Sequence, residues 1–350
     1  MRSCDNRVSA YIILRLPTNS DMANPFLGGL AMAAPVHSLL LLNGSVFGIS
    51  GFLHRASRSP EAVASTAGLF LGGIVVGLVE GCGPSIERIS LPFLLGSGLL
   101  VGIGTKLGNG CTSGHMLAGL SRLSPRSIVA TATFFFTGVL TSHLLHANDL
   151  RGRAPEALSW TLDRTGSKLL ALQAIPLLIA SVLYISTPRQ TQQDDAAPAS
   201  ASPQAQAVHP RLRLLASLTT GFEFALALRL SSLSEADKVI AFLLLPGLHE
   251  AFDPSLALLA LGAIPTAMLL YRYARGSEVP RLGGAWSIPK SREIDAKLLV
   301  GAATFGVGWA ASGFCPGPGI VNLGRAISTG SNVLPFAAWL AAVVVGGRLV

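Results

Sequence analysis

Long runs of apolar residues recur along this chain and set the strongest limit on its fold. They cover residues 36–53, 63–79, 91–105, 128–145, 169–185, 212–230, 256–271, 296–311 and 333–345, with a short and ambiguous run at 238–248. An α-helix needs about 20 apolar residues to cross the hydrocarbon core of a bilayer. Half of the 350 residues are hydrophobic and only 13% are charged, too few polar residues to cover a water-soluble domain. The sequence therefore predicts an all-α, polytopic integral membrane protein with nine or ten membrane helices.

Charge and cysteine usage exclude several classes of partner. The formal net charge of +8 lies mainly in the loops, where we expect contact with the headgroups of the lipid bilayer. No basic patch is interleaved with aromatic residues, so nucleic acid is not an expected partner. Four cysteines are too few and too scattered for a disulfide scaffold or a zinc site. We expect neither a metal nor a cofactor.

Two changes in composition divide the chain. Residues 1–33 are interpreted as a mobile N-terminal lead, because their apolar piece is too short for a signal-peptide core. Residues 187–211 are rich in Pro, Ala, Gln and Ser without apolar periodicity, which predicts a disordered linker. Residues 34–186 and 212–350 are then the first and second membrane halves.

The two halves contain a degenerate internal repeat. The segment with Cys111 aligns with the segment with Cys315 at an offset of 204 positions, and several leucines and glycines coincide. A weaker match pairs the region around Ser50 with the region around Ser231. The apolar run at 169–185 would carry the chain back across the membrane, so the second half enters it inverted. A pseudo-two-fold inverted repeat of this kind places the substrate site near the bilayer midplane.

Each of these two cysteines precedes a segment too short and too polar for an ordinary crossing. Non-helical backbone at membrane depth is tolerated only where protein buries it or where it lines a cavity, so we expect two re-entrant half-helices. Free N–H groups at their starts favour a small anion, and a soft thiol favours an anion that carries sulfur. The candidate substrate-binding residues are Ser50, Lys106, Asn109, Gly110, Cys111, Thr112, Ser113, Gly114, His115, Ser231, Gly313, Cys315, Pro316 and Gly317.

Several of these residues also have a plainer interpretation. Lys106 could extend its charge to the membrane interface, and His115 could be a satisfied packing histidine. A cysteine in a membrane helix is often a small inert hydrophobe. The repeat position that Cys111 and Cys315 share favours a functional interpretation for these two residues.

The strings "GNGCTSGH", "IDAKL" and "GFCPGP" occur in this order, and "LLNGSVFGISG" precedes them. In these motifs the chain resembles the YeeE/YedE family of sulfur-transport membrane proteins over about residues 36–348. The resemblance implies an inverted-repeat helical protein that moves thiosulfate through a central constriction. It also implies that Cys111 and Cys315 pass the anion along by transient S–H···S contacts. A third cysteine of some family members falls here at Ser50 or a neighbour.

The sequence favours a plasma-membrane transporter that takes up thiosulfate or a related sulfur-containing anion, and not an enzyme. An alternative is a membrane sulfur-transfer or redox enzyme, in which Cys111 or Cys315 forms a persulfide. That chemistry needs a thiolate stabilised by a nearby cation, and Lys106 or His115 is a candidate for it. A third hypothesis is a scaffold for a downstream sulfur-handling protein.

Overall fold

A computed structural model describes residues 20–86, 89–150, 158–188, 209–289 and 291–350. The regular secondary structure of the described part is helical apart from one parallel pair of two-residue strands, β1 (Ser20–Asp21) and β2 (Leu158–Ser159), and an isolated bridge between Ser45 and Ser287. The helices before residue 187 are α1 (Ala23–Asn43), α2 (Ile49–Arg55), α3 (Pro60–Glu80), α4 (Leu91–Leu107), α5 (Pro125–His146), α6 (Arg164–Leu172) and α7 (Ala174–Ser186). The later helices are α8 (Pro210–Leu230), α9 (Ala236–Leu243), α10 (Ser255–Ala274), α11 (Ala296–Ser312), α12 (Pro316–Thr329) and α13 (Val333–Arg348).

Between α4 and α5 lies the first half-helix, a π-helix (Thr112–Gly119) that continues as a 3₁₀ turn (Leu120–Arg122). Helix α12 occupies the corresponding place in the second half and is called the second half-helix. The first half-helix is bent by 45° from α4. Both half-helices start directly after a cysteine, as the sequence predicts.

Six helices of the described chain are long and apolar enough to cross a membrane, and the bent pair raises this number to seven. They are α1, α3, α5, the continuous pair α6 and α7, α10, and α11 taken together with α12. Helices α4 and α13 have 17 and 16 residues and fall just short in length. The ambiguous run at 238–248 is not a crossing, because α9 has only eight residues. The protein is therefore an all-α, multi-pass membrane protein.

The helices form two equivalent sets, and helices of one set pack mainly against helices of the other. Helices α1, α2, α3 and α4 have their counterparts in α8, α9, α10 and α11, in the same chain order. The main contacts follow this equivalence: α3 packs on α8 as α1 packs on α10, and α4 packs on α13 as α5 packs on α11. Most long helix contacts therefore join one half to the other.

Equivalent helices run antiparallel where they touch. Along α4 and α11, Gly308 approaches Ser97 and Gly301 approaches Gly108, so the two chains run in opposite directions. A β-carbon on Gly104 would overlap the backbone of α11, which explains the need for glycine at this crossing. Two equivalent helices that pack antiparallel must be related by an axis perpendicular to both. For helices that cross a bilayer, such an axis lies in the membrane plane, so the antiparallel packing of equivalent helices agrees with the predicted inverted repeat.

Three predicted boundaries or pairings are wrong in detail. Helix α1 begins at Ala23, so the end of the predicted lead (1–33) belongs to the first membrane helix. Of the predicted linker (187–211), residues 189–208 lie outside the described part, and α8 already begins at Pro210. Ser50 and Ser231 are not equivalent.

Ser50 is the second residue of α2, whereas Ser231 caps the end of α8. The counterpart of Ser50 is therefore Asp237, the second residue of α9. The short serine-containing strings around Ser50 and Ser231 look alike. Ser50, however, follows the break between α1 and α2, whereas Ser231 precedes the equivalent break between α8 and α9. Similarity over so few residues was not enough to align the two halves correctly in this region.

A buried ion network ties the second half-helix to the rest of the protein. Arg325 of α12 contacts Glu80 of α3 at 2.7 Å and Glu235 at 3.2 Å. Arg229 of α8 pairs with the same two carboxylates. The side chains of Arg325 and Glu80 are 3% and 5% exposed. Two arginines and two glutamates share this network, so its net charge is zero.

Candidate functional site

The two half-helices begin side by side at the centre of the molecule. Cys111 and Cys315 immediately precede them in extended backbone conformation. The hydroxyl oxygen of Thr112 lies 3.4 Å from the sulfur of Cys315, within hydrogen-bonding distance. Both cysteines are free and are 1% and 4% exposed. Residues from the two repeats thus meet at one point, as predicted for a site on the pseudo-two-fold axis.

Ser113 links the first cysteine to helix α2. Its hydroxyl oxygen lies 3.3 Å from the Cys111 sulfur and accepts a hydrogen bond from the backbone N–H of Ile49 at 3.1 Å. With that N–H on one lone pair, the serine hydrogen is available to the sulfur or to a bound group. The side chain therefore fixes the start of the first half-helix and keeps a donor in the cavity.

A small central cavity, with a volume of about 20 Å³, lies beside these groups and is otherwise apolar. Its polar or sulfur-bearing side chains are Cys111, Thr112, Ser113, Cys315 and the methionines Met32 and Met116. Aliphatic and aromatic side chains, mainly from α2, α8 and α10, complete the wall, together with Gly317 and Pro318. No Lys, Arg or His is among the described residues that line it. Such a wall holds a soft, polarisable group better than a strongly hydrated one.

The first turn of α12 offers few free N–H groups. In both half-helices, the first helical hydrogen bond goes to the cysteine carbonyl, from His115 in one and from Gly319 in the other. Pro316 and Pro318 have no N–H, so Gly317 alone has a backbone donor in the residues between Cys315 and Gly319. The first half-helix, with Thr112, Ser113 and Gly114, is the richer source of donors.

His115 is held by hydrogen bonds on both ring nitrogens. Nε2 lies 3.0 Å from the carbonyl oxygen of Gly108 and Nδ1 lies 3.2 Å from the hydroxyl of Ser127. A carbonyl can only accept, so Nε2 carries the hydrogen and, in the neutral ring, Nδ1 accepts from Ser127. The ring also packs against Gly110. His115 therefore shapes the loop before Cys111, and the packing interpretation describes it better than a role at the sulfurs.

A second cavity, called the basic cavity, lies on the Cys111 side. It is open, has a volume of about 420 Å³, and reaches Gly110 and Gly114 on either side of the cysteine. Of the predicted residues it contains Ser50, Lys106, Asn109, Gly110, Gly114 and His115. It also contains residues that the sequence did not single out as binding residues: His54, Arg55, Thr105, Arg122 and Arg126.

A third cavity, called the acidic cavity, lies on the Cys315 side and has a volume of about 540 Å³. Phe314, the counterpart of Gly110, lies in its wall, together with Asp149, Glu235 and Asp237. The two outer cavities share equivalent elements, α2 and the segment after α4 in one and α9 and the segment after α11 in the other, and the inverted repeat places these at opposite faces of the protein. Among the described residues, the charged side chains that line the basic cavity are cationic and those that line the acidic cavity are carboxylates.

Two predicted site residues lie away from all three cavities. Ser231 is fully buried, donates to the carbonyl of Leu228 at 3.0 Å, and packs against Gly28 of α1. Gly313 ends α11 in a left-handed conformation with φ of 71° and abuts Ala236. Both residues therefore shape the backbone around the site without lining it.

Comparison with known proteins gives a consistent result. Residues 212–349 match a family of unknown function, DUF6691. A probable transporter of Xylella fastidiosa strain 9a5c is 42% identical over 127 residues, which are 35% of this chain and 94% of that relative. A second probable transporter of this strain is 31% identical over 143 residues, 41% of this chain and 95% of the relative.

This chain belongs to the family of these probable transporters. Each relative is matched along nearly its whole length by little more than a third of this chain. One relative therefore corresponds in size to a single repeat half, and this transporter contains two such halves in one polypeptide. The contacts between the halves explain why a complete site needs both, since Cys111 comes from one and Cys315 from the other.

The sequence identified the centre of this transporter more readily than its outer cavities. The cysteines stand out because both occur at one repeat position, and the glycine spacing around them repeats as well. Arg55, Arg122 and Arg126 lie near helix ends, where basic residues are usual, so nothing local marks them as a group. These arginines become neighbours in space only when α2, the first half-helix and α5 pack together.

Proposed function

We propose that this transporter carries thiosulfate or a related sulfur-containing anion into the cell across the plasma membrane. The observation that most supports this substrate is the pair of free thiols, Cys111 and Cys315, that line one apolar cavity from repeat-related positions. The resemblance of both cysteine motifs to the YeeE/YedE family supports the same substrate class.

On the proposed route, weak hydrogen-bond donors of the protein replace the water molecules that surround the anion in solution. An anion that enters hydrocarbon alone loses its hydration at a prohibitive cost. In the central cavity, the hydroxyls of Thr112 and Ser113 and the two thiols would take the place of part of that water. A thiol is a weak donor and a polarisable neighbour for a terminal sulfur atom, so binding stays weak enough for release.

The alternative of persulfide chemistry has less support. A reactive cysteine is a thiolate, which a neighbouring cation must stabilise. The described lining of the central cavity contains no cationic side chain, and His115 is engaged by Gly108 and Ser127. Lys106 lines the basic cavity, not the central one. Passage without a covalent intermediate therefore agrees better with the surroundings of both sulfurs.

Uptake by liposomes that contain only the purified chain tests the proposal. We expect uptake of radiolabelled thiosulfate that falls about tenfold in Cys111→Ala and in Cys315→Ala, equivalent to a barrier higher by about 1.4 kcal/mol. Ser231→Ala is the matched control and should transport normally, because its hydroxyl only bonds its own helix.

Two results would contradict this function. If the purified chain takes up no thiosulfate, the proposed transport function is wrong, and the scaffold hypothesis is favoured. A stable persulfide on Cys111 or Cys315 after incubation with thiosulfate, detected by mass spectrometry, would favour the enzyme alternative.

A further inference from the structure

The cations of the basic cavity are poorly neutralised. Arg55 and Arg122 donate their Nε hydrogens to backbone carbonyls of their own segments, Gly51 at 3.1 Å and Ala118 at 2.7 Å. Lys106 is exposed and has no ion-pair or hydrogen-bond partner among the described residues. Three positive side chains thus face one cavity, and no carboxylate is among the described residues that line it.

A fourth cation of the cavity is only weakly paired. Arg126 donates to the backbone carbonyl of Glu293 and lies 3.5 Å from a carboxylate oxygen of Asp295. The Asp295 side chain is 38% exposed, and ion pairs at such positions contribute about 0–1 kcal/mol. The cavity therefore keeps a clear excess of positive charge.

The repeat provides an internal comparison for this charge. The positions of Gly48 and Ser50 in the basic cavity correspond to Glu235 and Asp237 in the acidic cavity. Glu235 pairs with Arg229 and Arg325 and belongs to the neutral network, so its charge is compensated. Where α2 and α9 occupy equivalent places, the basic cavity has Gly48 and Ser50 and the acidic cavity has carboxylates, so this difference comes from the side chains.

We propose that the basic cavity is a binding site for small divalent oxyanions, separate from the central cysteines. Clustered cations with low-dielectric walls raise the local concentration of anions. Ammonium and guanidinium groups, with the hydroxyls of Ser50 and Ser124 nearby, suit the hard oxygens that sulfate and thiosulfate share. The site therefore selects by charge, and it does not distinguish these two anions.

Selection for sulfur then takes place at the central cavity, a step that rests on the proposed function. Sulfate binds in the basic cavity and competes with thiosulfate there. It does not pass Cys111 and Cys315, because the apolar wall provides too few strong donors for four hard oxygens. Sulfate is thus an inhibitor of this transporter that is not itself carried.

Binding of radiolabelled sulfate to the purified full chain, measured by equilibrium dialysis at low ionic strength, tests the site. We expect Lys106→Gln and Arg122→Gln each to weaken sulfate binding about five- to tenfold, as for the loss of one charge-assisted contact. Lys106→Arg keeps the charge and should restore most of the affinity. Arg275→Gln removes a charge outside the cavity, where Arg275 pairs with Glu278, and should bind sulfate normally.

The outcomes separate this proposal from the transport function. Unchanged sulfate binding in both Lys106→Gln and Arg122→Gln overturns the site, and so does an equal loss in Arg275→Gln. Cys111→Ala should bind sulfate like the original chain, since the sulfur lies outside this cavity. If sulfate binding depends on Lys106 but no variant carries thiosulfate, the oxyanion site stands and the proposed substrate is wrong.

Discussion

The Thr112 hydroxyl and the Cys315 sulfur lie 3.4 Å apart, although 203 residues separate them along the chain. Each residue stands at the start of a half-helix, and each half-helix belongs to a different repeat. A direct contact between such residues occurs only beside the pseudo-two-fold axis. The narrow centre of the transporter is therefore made equally by both halves, while its two outer cavities differ in charge.

Thr112→Val tests the contribution of this hydroxyl. Valine has nearly the shape of threonine, so the change removes the hydrogen bond to Cys315 and leaves the packing intact. A neutral hydrogen bond contributes about 0.5–1.5 kcal/mol, so we expect thiosulfate uptake by liposomes to fall about two- to tenfold. Thr304→Val is the matched control, because the Thr304 hydroxyl bonds only Val300 of its own helix. Equal rates for the two variants would rule out a role for Thr112.

Glycine positions at the helix crossings should differ sharply in their tolerance of alanine. A β-carbon on Gly104 overlaps the backbone of Phe305, whereas one on Gly96 of the same helix meets no atom within 4 Å. We expect Gly104→Ala to destabilise the protein by about 1–3 kcal/mol through overpacking. Gly96→Ala should be neutral or slightly stabilising, because alanine favours a helix. Thermal unfolding in detergent compares the two, and similar melting temperatures would contradict the close α4–α11 contact.

Much of the fold could be predicted because the same sequence pattern occurs in both halves. The shared offset of Cys111 and Cys315 indicated both half-helices and their meeting point. Apolar periodicity alone could not place the start of α1, since Asn24 and Pro25 interrupt the pattern but are accommodated in its first turn. The pairing of Ser50 failed because α2 and α9 are short and carry unlike side chains.

The basic cavity was harder to predict for a different physical reason. Lys106 was a candidate because it lies in the span before Cys111, but each arginine lies in its own loop or helix end. Their common surroundings depend on how the loop before α11 folds over α2 and α5, with Ser287 and Ser291 closing the cavity. Contacts of this range are set by packing of whole helices, which local sequence does not specify.

Loss of Arg325 should be far more damaging than loss of an exposed arginine. Arg325→Ala leaves the buried carboxylate of Glu80 with only part of its compensation, and breaking a buried pair in this way costs about 3–5 kcal/mol. Arg275→Ala removes a half-exposed pair with Glu278 and should cost about 0–1 kcal/mol. Chemical unfolding in detergent checks the difference. Equal stability of the two variants would show that the network does not anchor the second half-helix.

The two halves should assemble when they are produced as separate chains. The relatives in Xylella fastidiosa have about the size of one half, and in this transporter most long helix contacts join one half to the other. A chain broken within residues 189–208 keeps all of these contacts. We expect the two co-expressed fragments to co-purify and to take up thiosulfate, with an assembly that depends on their concentrations.

Each fragment alone provides the control for this experiment. A lone half exposes the glycine-lined faces of α4 or α11 and lacks one of the two cysteines, so it should neither accumulate as a folded protein nor transport. Gly104→Leu in the first fragment blocks the α4–α11 contact and should abolish co-purification, whereas Gly96→Leu should not. A stable, monodisperse single half would contradict the interlocked arrangement, because its packing would then not require the partner.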